Sequence, residues 1–297
     1  MPLYPLLISL LSKVLFFLPM QWIGFILSFL CFLGSLIYIN KLIILDYSKK
    51  QAQKVLLFLI ILPTSFFFIC VYSESLFLFL TVASFYYARK KMWIYAALCG
   101  FFASLTRIVG FVIIIPLVIE YFSQHKTKKL SHIFALCCIP IGTIVYAVYN
   151  YFMRGNPLYF LQAHSQLSNG RSSTFIILFP QTLYRYSKIL TTVSVSFWEW
   201  KIAALELLCF LLATGGIYLL WKNKVRLSYI VYTAISLLIP ASSGTFTGLP
   251  RYILVLFPLF FLIVYVRNRI ILTILYLSLF FLQILLFIYF CRGYFVA

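Results

Sequence analysis

In this chain of 297 residues 64% are hydrophobic and 10% charged, with a mean hydropathy of +1.05. Soluble domains hold about 45–50% apolar and about 25% charged residues, so there is too little polar surface here for a water-soluble particle. The net charge of +19 invites nucleic acid as a partner, but Lys and Arg fall in short clusters between apolar runs rather than on one face of a domain, which excludes that reading. The composition predicts an all-α, polytopic transmembrane helical bundle, a single domain over residues 1–297.

The basic clusters are Lys41, Lys49, Lys50 and Lys54; Arg89, Lys90 and Lys91; Lys126, Lys128 and Lys129; Lys222, Lys224 and Arg226; and Arg267 with Arg269. Such clusters mark cytoplasmic loops. Residues 3–17 are apolar but short; they lack the basic segment and cleavage site of a signal peptide and read as a retained helix in the outer interface or as the stub of another element. A crossing takes about 20 residues. The stretches from Lys54 to Arg89 and from Lys91 to Lys126 are long for one crossing and sufficient for two short ones. Their polar midpoints, Tyr72-Ser73-Glu74-Ser75 and Leu105-Thr106-Arg107, then emerge on the face opposite the basic loops.

In chain order this predicts crossings at residues 20–40, 55–72, 75–88, 92–106, 107–122, 131–152, 201–221, 227–243, 250–266 and 270–290. That is about ten crossings with both termini outside. Residues 153–200 are left as the one long outer or interfacial segment. Trp93, Trp198, Trp200 and Trp221 fall near predicted interfaces, where such rings settle.

Ionisable residues in apolar runs are costly and mark functional sites by default. Glu74, one of five acidic residues, and Arg107 each cap a pair of short crossings. Either they pair with each other and hold two hairpins together, or they line an outward-facing cavity. There an Arg takes a phosphate oxygen and a carboxylate takes a sugar hydroxyl or a transferring proton. Asp46 and Glu120 fall on the cytoplasmic side, where loop solvation accounts for them, and Glu206 lies inside a crossing.

The outer segment begins with Gly155-Asn156-Pro157, a turn signal. It carries Gln162, His164 and Arg171, suited to hydroxyls and phosphate, though an interfacial amphipathic stretch would also be polar on one side. The last outer turn, Ser242-Ser243-Gly244-Thr245-Phe246-Thr247-Gly248-Leu249-Pro250-Arg251-Tyr252, puts Arg251 at a helix start. A cation is unfavourable there, so Arg251 needs a partner such as a phosphate, a lipid headgroup or a carboxylate. The seven Cys show no metal-ligand spacing and read as small apolar residues in helices. No P-loop, GxGxxG, HExxH or GxSxG occurs, so nothing points to nucleotide-driven chemistry.

Pro63-Thr64-Ser65-Phe66-Phe67-Phe68 followed by Tyr72-Ser73-Glu74-Ser75-Leu76-Phe77, then Ser104-Leu105-Thr106-Arg107-Ile108-Val109-Gly110, resembles the PIG-V-type mannosyltransferases, which include the enzyme adding the second mannose of the GPI anchor and bacterial relatives. Gly155-Asn156-Pro157-Leu158-Tyr159-Phe160 and Gly244-Thr245-Phe246 with Pro250-Arg251-Tyr252 resemble the bacterial members. The resemblance runs from Pro2-Leu3-Tyr4-Pro5-Leu6 to Arg292-Gly293-Tyr294-Phe295. It implies a GT-C-like architecture in a bacterial-type plasma membrane with the active face extracytoplasmic, a sugar donor carried on polyprenyl monophosphate, a glycolipid or glycan acceptor, inversion at the anomeric carbon, and no cofactor or metal.

Family members carry a further helix and an outer Trp-Asp loop before the Pro-Leu-Tyr-Pro-Leu motif, and that loop is thought to supply the catalytic carboxylate. Here the motif begins at Pro2, so the resemblance implies a truncated or late-assigned start and a polypeptide inactive as given. Glu74 is then a site-lining residue and the substitute candidate for the catalytic carboxylate. A non-catalytic membrane protein that binds or flips a polyprenyl-phosphate lipid with the same cationic cavity is the alternative.

Overall fold

The computed structural model describes residues 1–124, 129–159, 177 and 179–296. Among them the chain is helical, without strands. It runs α1 (Leu3–Val14), α2 (Met20–Ile43), α3 (Lys49–Ile60), α4 (Glu74–Arg89), α5 (Trp93–Thr106), α6 (Ile114–Gln124), α7 (Leu130–Cys137), α8 (Ile141–Arg154), α9 (Phe179–Thr192), α10 (Trp198–Lys222), α11 (Leu227–Ala241), α12 (Leu249–Ile253) and α13 (Arg269–Cys291). Segments of 3-10 helix lie at Ser65–Phe68, Ile108–Ile113 and Phe257–Tyr265.

Among the described residues four helical stretches are long and apolar enough to cross a membrane: Met20–Ile43, Leu130–Arg154 (α7 and α8 together), Trp198–Lys222 and Arg269–Cys291. They coincide with the crossings expected at 20–40, 131–152, 201–221 and 270–290. The apolar helices Leu3–Val14, Trp93–Thr106, Ile108–Gln124 and Leu227–Ala241 are shorter. Large apolar side chains cover the outer faces, for example Phe29, Leu30 and Ile37 on α2 and Ile274, Phe281 and Ile288 on α13. Exposed apolar surface on this scale suits a lipid solvent.

α4 is the central helix. It buries residues on every side, from Glu74, Leu76 and Phe77 to Val82, Phe85 and Ala88, as expected of a helix apolar all round. α2 and α5 flank it, and α6 packs on α4 and α11. Ser35 of α2 donates to the Ser75 carbonyl at 3.3 Å, and Ser84 of α4 donates to the Ala96 carbonyl of α5 at 2.7 Å. Hydroxyls at these contacts tie helices together where lipid offers no alternative partner.

Four of the expected crossings are not continuous helices. The 131–152 stretch is divided between α7 and α8 by a turn at residues 138–140. The 55–72 stretch stops at Ile60, and Pro63 follows. The freed Ile60 carbonyl accepts from Ser65 Oγ at 2.6 Å and from Gln283 Nε2 of α13 at 3.2 Å, which is how a buried helix end is satisfied. The 107–122 stretch opens as 3-10 helix before α6, and the 250–266 stretch divides into the short α12 and a 3-10 run. Residues 153–200, expected as one outer segment, contain α9 in their described part.

At Ile108–Ile113 the chain folds back onto α5. A Cβ built on Gly110 would lie 2.3 Å from the Ala103 carbonyl oxygen. We therefore expect Gly110→Ala to force a backbone shift and to destabilise by about 1–3 kcal/mol, read as a lower melting temperature of the detergent-solubilised protein.

Candidate functional site

Three segments far apart in sequence meet at Glu74. This residue opens α4, where a carboxylate faces the positive end of the helix, and it is 2% exposed. Arg107 follows the last turn of α5 in extended conformation, φ −145° and ψ 149°. That break turns its side chain to Glu74, and Nη1 donates to Oε1 at 2.8 Å. Arg251, in α12, brings its Nε to 3.0 Å from the same Oε1. This second contact is an ion pair rather than a hydrogen bond, because the Arg251 N–H is not aimed at the oxygen. Two guanidiniums therefore share one carboxylate oxygen and leave the cluster with a formal charge of +1. The other oxygen, Oε2, is buried and has no hydrogen-bond partner.

Aromatic faces complete the surroundings of both arginines. The Arg107 guanidinium lies 4.7 Å from the Tyr252 ring centre and 5.9 Å from that of Phe77. Arg251 lies 5.0 Å from Tyr72 and 5.7 Å from Phe67. Each such contact contributes about 0.5–2 kcal/mol, more when desolvated. They allow the excess cation to sit where water is scarce.

The backbone around the cluster is fastened by side chains from other elements. Tyr4 of α1 hydrogen-bonds the Ser28 hydroxyl at 2.6 Å, and Ser28 donates to the Tyr72 carbonyl at 3.3 Å. Thr64 Oγ1 donates to the Pro250 carbonyl at 3.0 Å, joining the Pro63-Thr64 turn to the start of α12. Glu206 of α10 accepts from the Gly248 N–H at 3.1 Å and from the Tyr186 hydroxyl of α9. Tyr186 in turn accepts from the Phe246 N–H at 3.0 Å. Gly248 stands at φ 77°, a conformation that favours glycine, and caps the helix carrying Arg251.

Glu74, Arg107, Arg251 and Tyr252 are thus brought together. The pairing of Glu74 with Arg107 that the sequence left open is present, with Arg251 as a third member. Gln162, His164 and Arg171 lie outside the described residues. Tyr72 and Phe67 belong to the motifs that carry the resemblance but had no role assigned from sequence; as platforms for Arg251 they are identified only by the fold. Among the described residues no group of three or more His, Cys, Asp or Glu converges.

The solvated-loop expectation for Glu120 is corrected. Glu120 is as buried as Glu74, because α6 packs its last turns against α11. It accepts from Ser228 Oγ at 2.5 Å, Gln124 Nε2 at 2.5 Å and Arg226 Nη1 at 3.4 Å, with Arg89 Nε at 3.7 Å. Asp46 is half-exposed but paired. Arg89 grips it with both terminal nitrogens at 2.5 and 2.8 Å, and Arg226 lies 3.6 Å away. This second charge cluster occupies the opposite end of α4 from Glu74.

Burial works against the charged Asp46 carboxyl, and the hydrogen bonds and charges of Arg89, then Arg226, outweigh it, so the group titrates below its ordinary value. Comparison of the chain with protein-family models, with curated proteins and with solved structures finds no match.

Two predictions follow from the two clusters. Glu74→Gln removes the carboxylate that Arg107 and Arg251 share and is expected to destabilise by about 3–5 kcal/mol, measured by thermal or chemical denaturation in detergent. A depressed carboxylate contributes stability that is complete above its unfolded pKa of about 3.9 and is lost as pH falls through the lower folded value. Melting temperature should therefore fall on acidification below about pH 4, and Asp46→Asn should flatten that part of the profile while lowering stability at neutral pH.

Proposed function

We propose that the Glu74–Arg107–Arg251 cluster is the substrate site of a membrane glycosyltransferase. It moves a sugar, mannose by the family resemblance, from a polyprenyl-phosphate donor to a glycolipid or glycan hydroxyl on the extracytoplasmic face. The observation that carries the reading is an unfilled donor and an unfilled acceptor side by side. Arg251 is 24% exposed and, among the described residues, makes no hydrogen bond through its guanidinium, while Glu74 Oε2 is buried without a donor there. A sugar phosphate supplies what each lacks.

In this reading Arg251, with Arg107 behind it, holds the donor phosphate. The acceptor oxygen attacks the anomeric carbon, the bond from that carbon to the phosphate oxygen breaks, and the electron pair leaves with the phosphate. Cations fixed at that oxygen stabilise the charge it gains. Glu74 Oε2 accepts the hydrogen bond of the attacking hydroxyl and takes its proton. Tyr252 and Tyr72 keep the guanidinium planes in place, and Glu206 sets the loop from which Arg251 projects. No resident metal or cofactor enters this scheme, because the sugar arrives already activated on a lipid.

The topology that suits this reading is a GT-C-like bundle of about ten crossings, the broken stretches at 55–72, 107–122, 131–152 and 250–266 included. Its support is the course of α4, which starts at the Glu74 cluster and ends at Arg89 among the basic loops. The two clusters then face opposite sides of the membrane, and the positive-inside rule puts Glu74 outside.

The test is transfer from polyprenyl-phosphate mannose in membranes holding equal amounts of wild type, Arg251→Ala and Arg251→Lys. Arg251→Ala is expected to lose activity by about 10²–10³-fold, the range for removing one donor from a developing anion. Arg251→Lys should recover part of it, since the charge stays while the planar fork is lost. Equal transfer by wild type and Arg251→Ala would remove Arg251 from the mechanism. Binding of the lipid without transfer by any variant, wild type included, would instead favour the non-catalytic lipid-binding protein.

A further inference from the structure

At the basic-loop end of the bundle lies a cavity of about 280 Å³, lined by Asp46, Tyr47, Lys224, Arg226, Tyr229 and Phe261. Its charge is not balanced. Arg89 and Arg226 face Asp46 and Glu120 across the wall, which leaves Lys224 as the additional cation at the mouth. Both Asp46 oxygens are occupied by Arg89. Arg226 is engaged at longer range, at 3.4 Å from Glu120 and 3.6 Å from Asp46, and its side chain is 41% exposed. Lys224 is exposed, and its ammonium makes no hydrogen bond among the described residues. The remaining walls are aromatic: the Tyr229 and Tyr47 rings stand edge-on to Phe261, at 5.7 and 6.3 Å between centres.

The backbone of Lys224 is the second observation. α10 ends in a Schellman turn, with the Lys224 N–H bonded to the Trp221 carbonyl at 3.0 Å and the Val225 N–H to the Leu220 carbonyl at 3.0 Å. The left-handed position of that turn, normally held by glycine or asparagine, is held by Lys224 at φ 52°. A strained residue at the rim of a cavity is a candidate for function. Among the described residues the other non-glycine residue at positive φ, Lys91 at φ 62°, closes α4 in the same kind of turn and does not line the cavity.

We propose that this cavity is a phosphate-ester site, with Lys224 and Arg226 as its cationic ligands and the aromatic walls enclosing the esterified group. An ammonium and a guanidinium at the mouth of a cavity with net positive charge select an anion with several acceptor oxygens. At the basic-loop end of a membrane protein such pockets take the phosphate of anionic lipid headgroups. A soluble phosphate monoester has the same chemistry. The site lies at the other end of α4 from Glu74 and does not rest on the transferase reading.

The test compares wild type, Lys224→Gly and Lys91→Gly, purified full-length in neutral detergent. Each is titrated separately with phosphatidylglycerol, phosphatidylcholine and glycerol 1-phosphate, following melting temperature and binding by native mass spectrometry. Glycine relieves the strained turn at either position, so both variants should melt at or above wild type without ligand, and misfolding cannot account for lost binding. Phosphatidylglycerol is expected to stabilise wild type and Lys91→Gly alike and to bind Lys224→Gly at least fivefold more weakly, with phosphatidylcholine inert. A matching response to glycerol 1-phosphate would identify a soluble ester as sufficient, and a response to phosphatidylglycerol alone would identify a lipid. Equal binding of phosphatidylglycerol by wild type and Lys224→Gly, or no binding of either phosphate ester by wild type, would overturn the proposal.

Discussion

One buried carboxylate oxygen, Glu74 Oε1, meets two guanidiniums, and much of the surrounding chain is arranged to bring them there. Unit charges about 4 Å apart attract by about 4 kcal/mol at an effective dielectric of about 20. That gain is comparable with the penalty for taking an ion out of water. The pairing therefore holds only with accurate placement. The extended residue after α5, the left-handed Gly248 before α12 and the Thr64 bond to the Pro250 carbonyl each supply part of that accuracy. One carboxylate between two cations leaves the cluster with a formal charge of +1.

The opposite end of α4 uses the same chemistry with another balance. There two carboxylates and two arginines are nearly matched, and Arg89 makes a bidentate pair with Asp46. Breaking either cluster leaves unpaired charge in an apolar interior, which holds the ends of α2, α4, α6 and α11 in register at one end and α4, α5 and α12 at the other. The intervening core packs the rings of Phe85, Tyr229, Tyr232 and Phe257 against one another, and its two tyrosine hydroxyls are also held, Tyr229 accepting from Arg89 at 3.1 Å and Tyr232 donating to the Val255 carbonyl at 2.9 Å.

What the sequence makes legible follows from rarity. Glu74, Arg107 and Arg251 stand out because charged residues are few, and they converge; the four long apolar stretches are legible from length and apolarity alone. The breaks at 55–72, 107–122, 131–152 and 250–266 are not, because counting apolar residues does not reveal where hydrogen bonds change register, although Pro63, Gly110 and Pro140 mark three of them. Glu120 is illegible for a related reason. A carboxylate near Lys and Arg in sequence looks solvated, yet α6 turns it inward onto Ser228 and Arg226, residues more than a hundred positions away. Tyr186 gives no sign in sequence of its hold on Glu206, since tyrosines are common throughout this chain.

The length of α4 sets how far apart the two charge clusters can lie. Its 16 residues rise about 24 Å, against about 30 Å of hydrocarbon in an ordinary bilayer. The helices with exposed apolar faces, α2 and α13, are longer, at 24 and 23 residues. The charged groups thus end a rod shorter than its own sheath, and the apolar rim of the bundle outreaches both clusters.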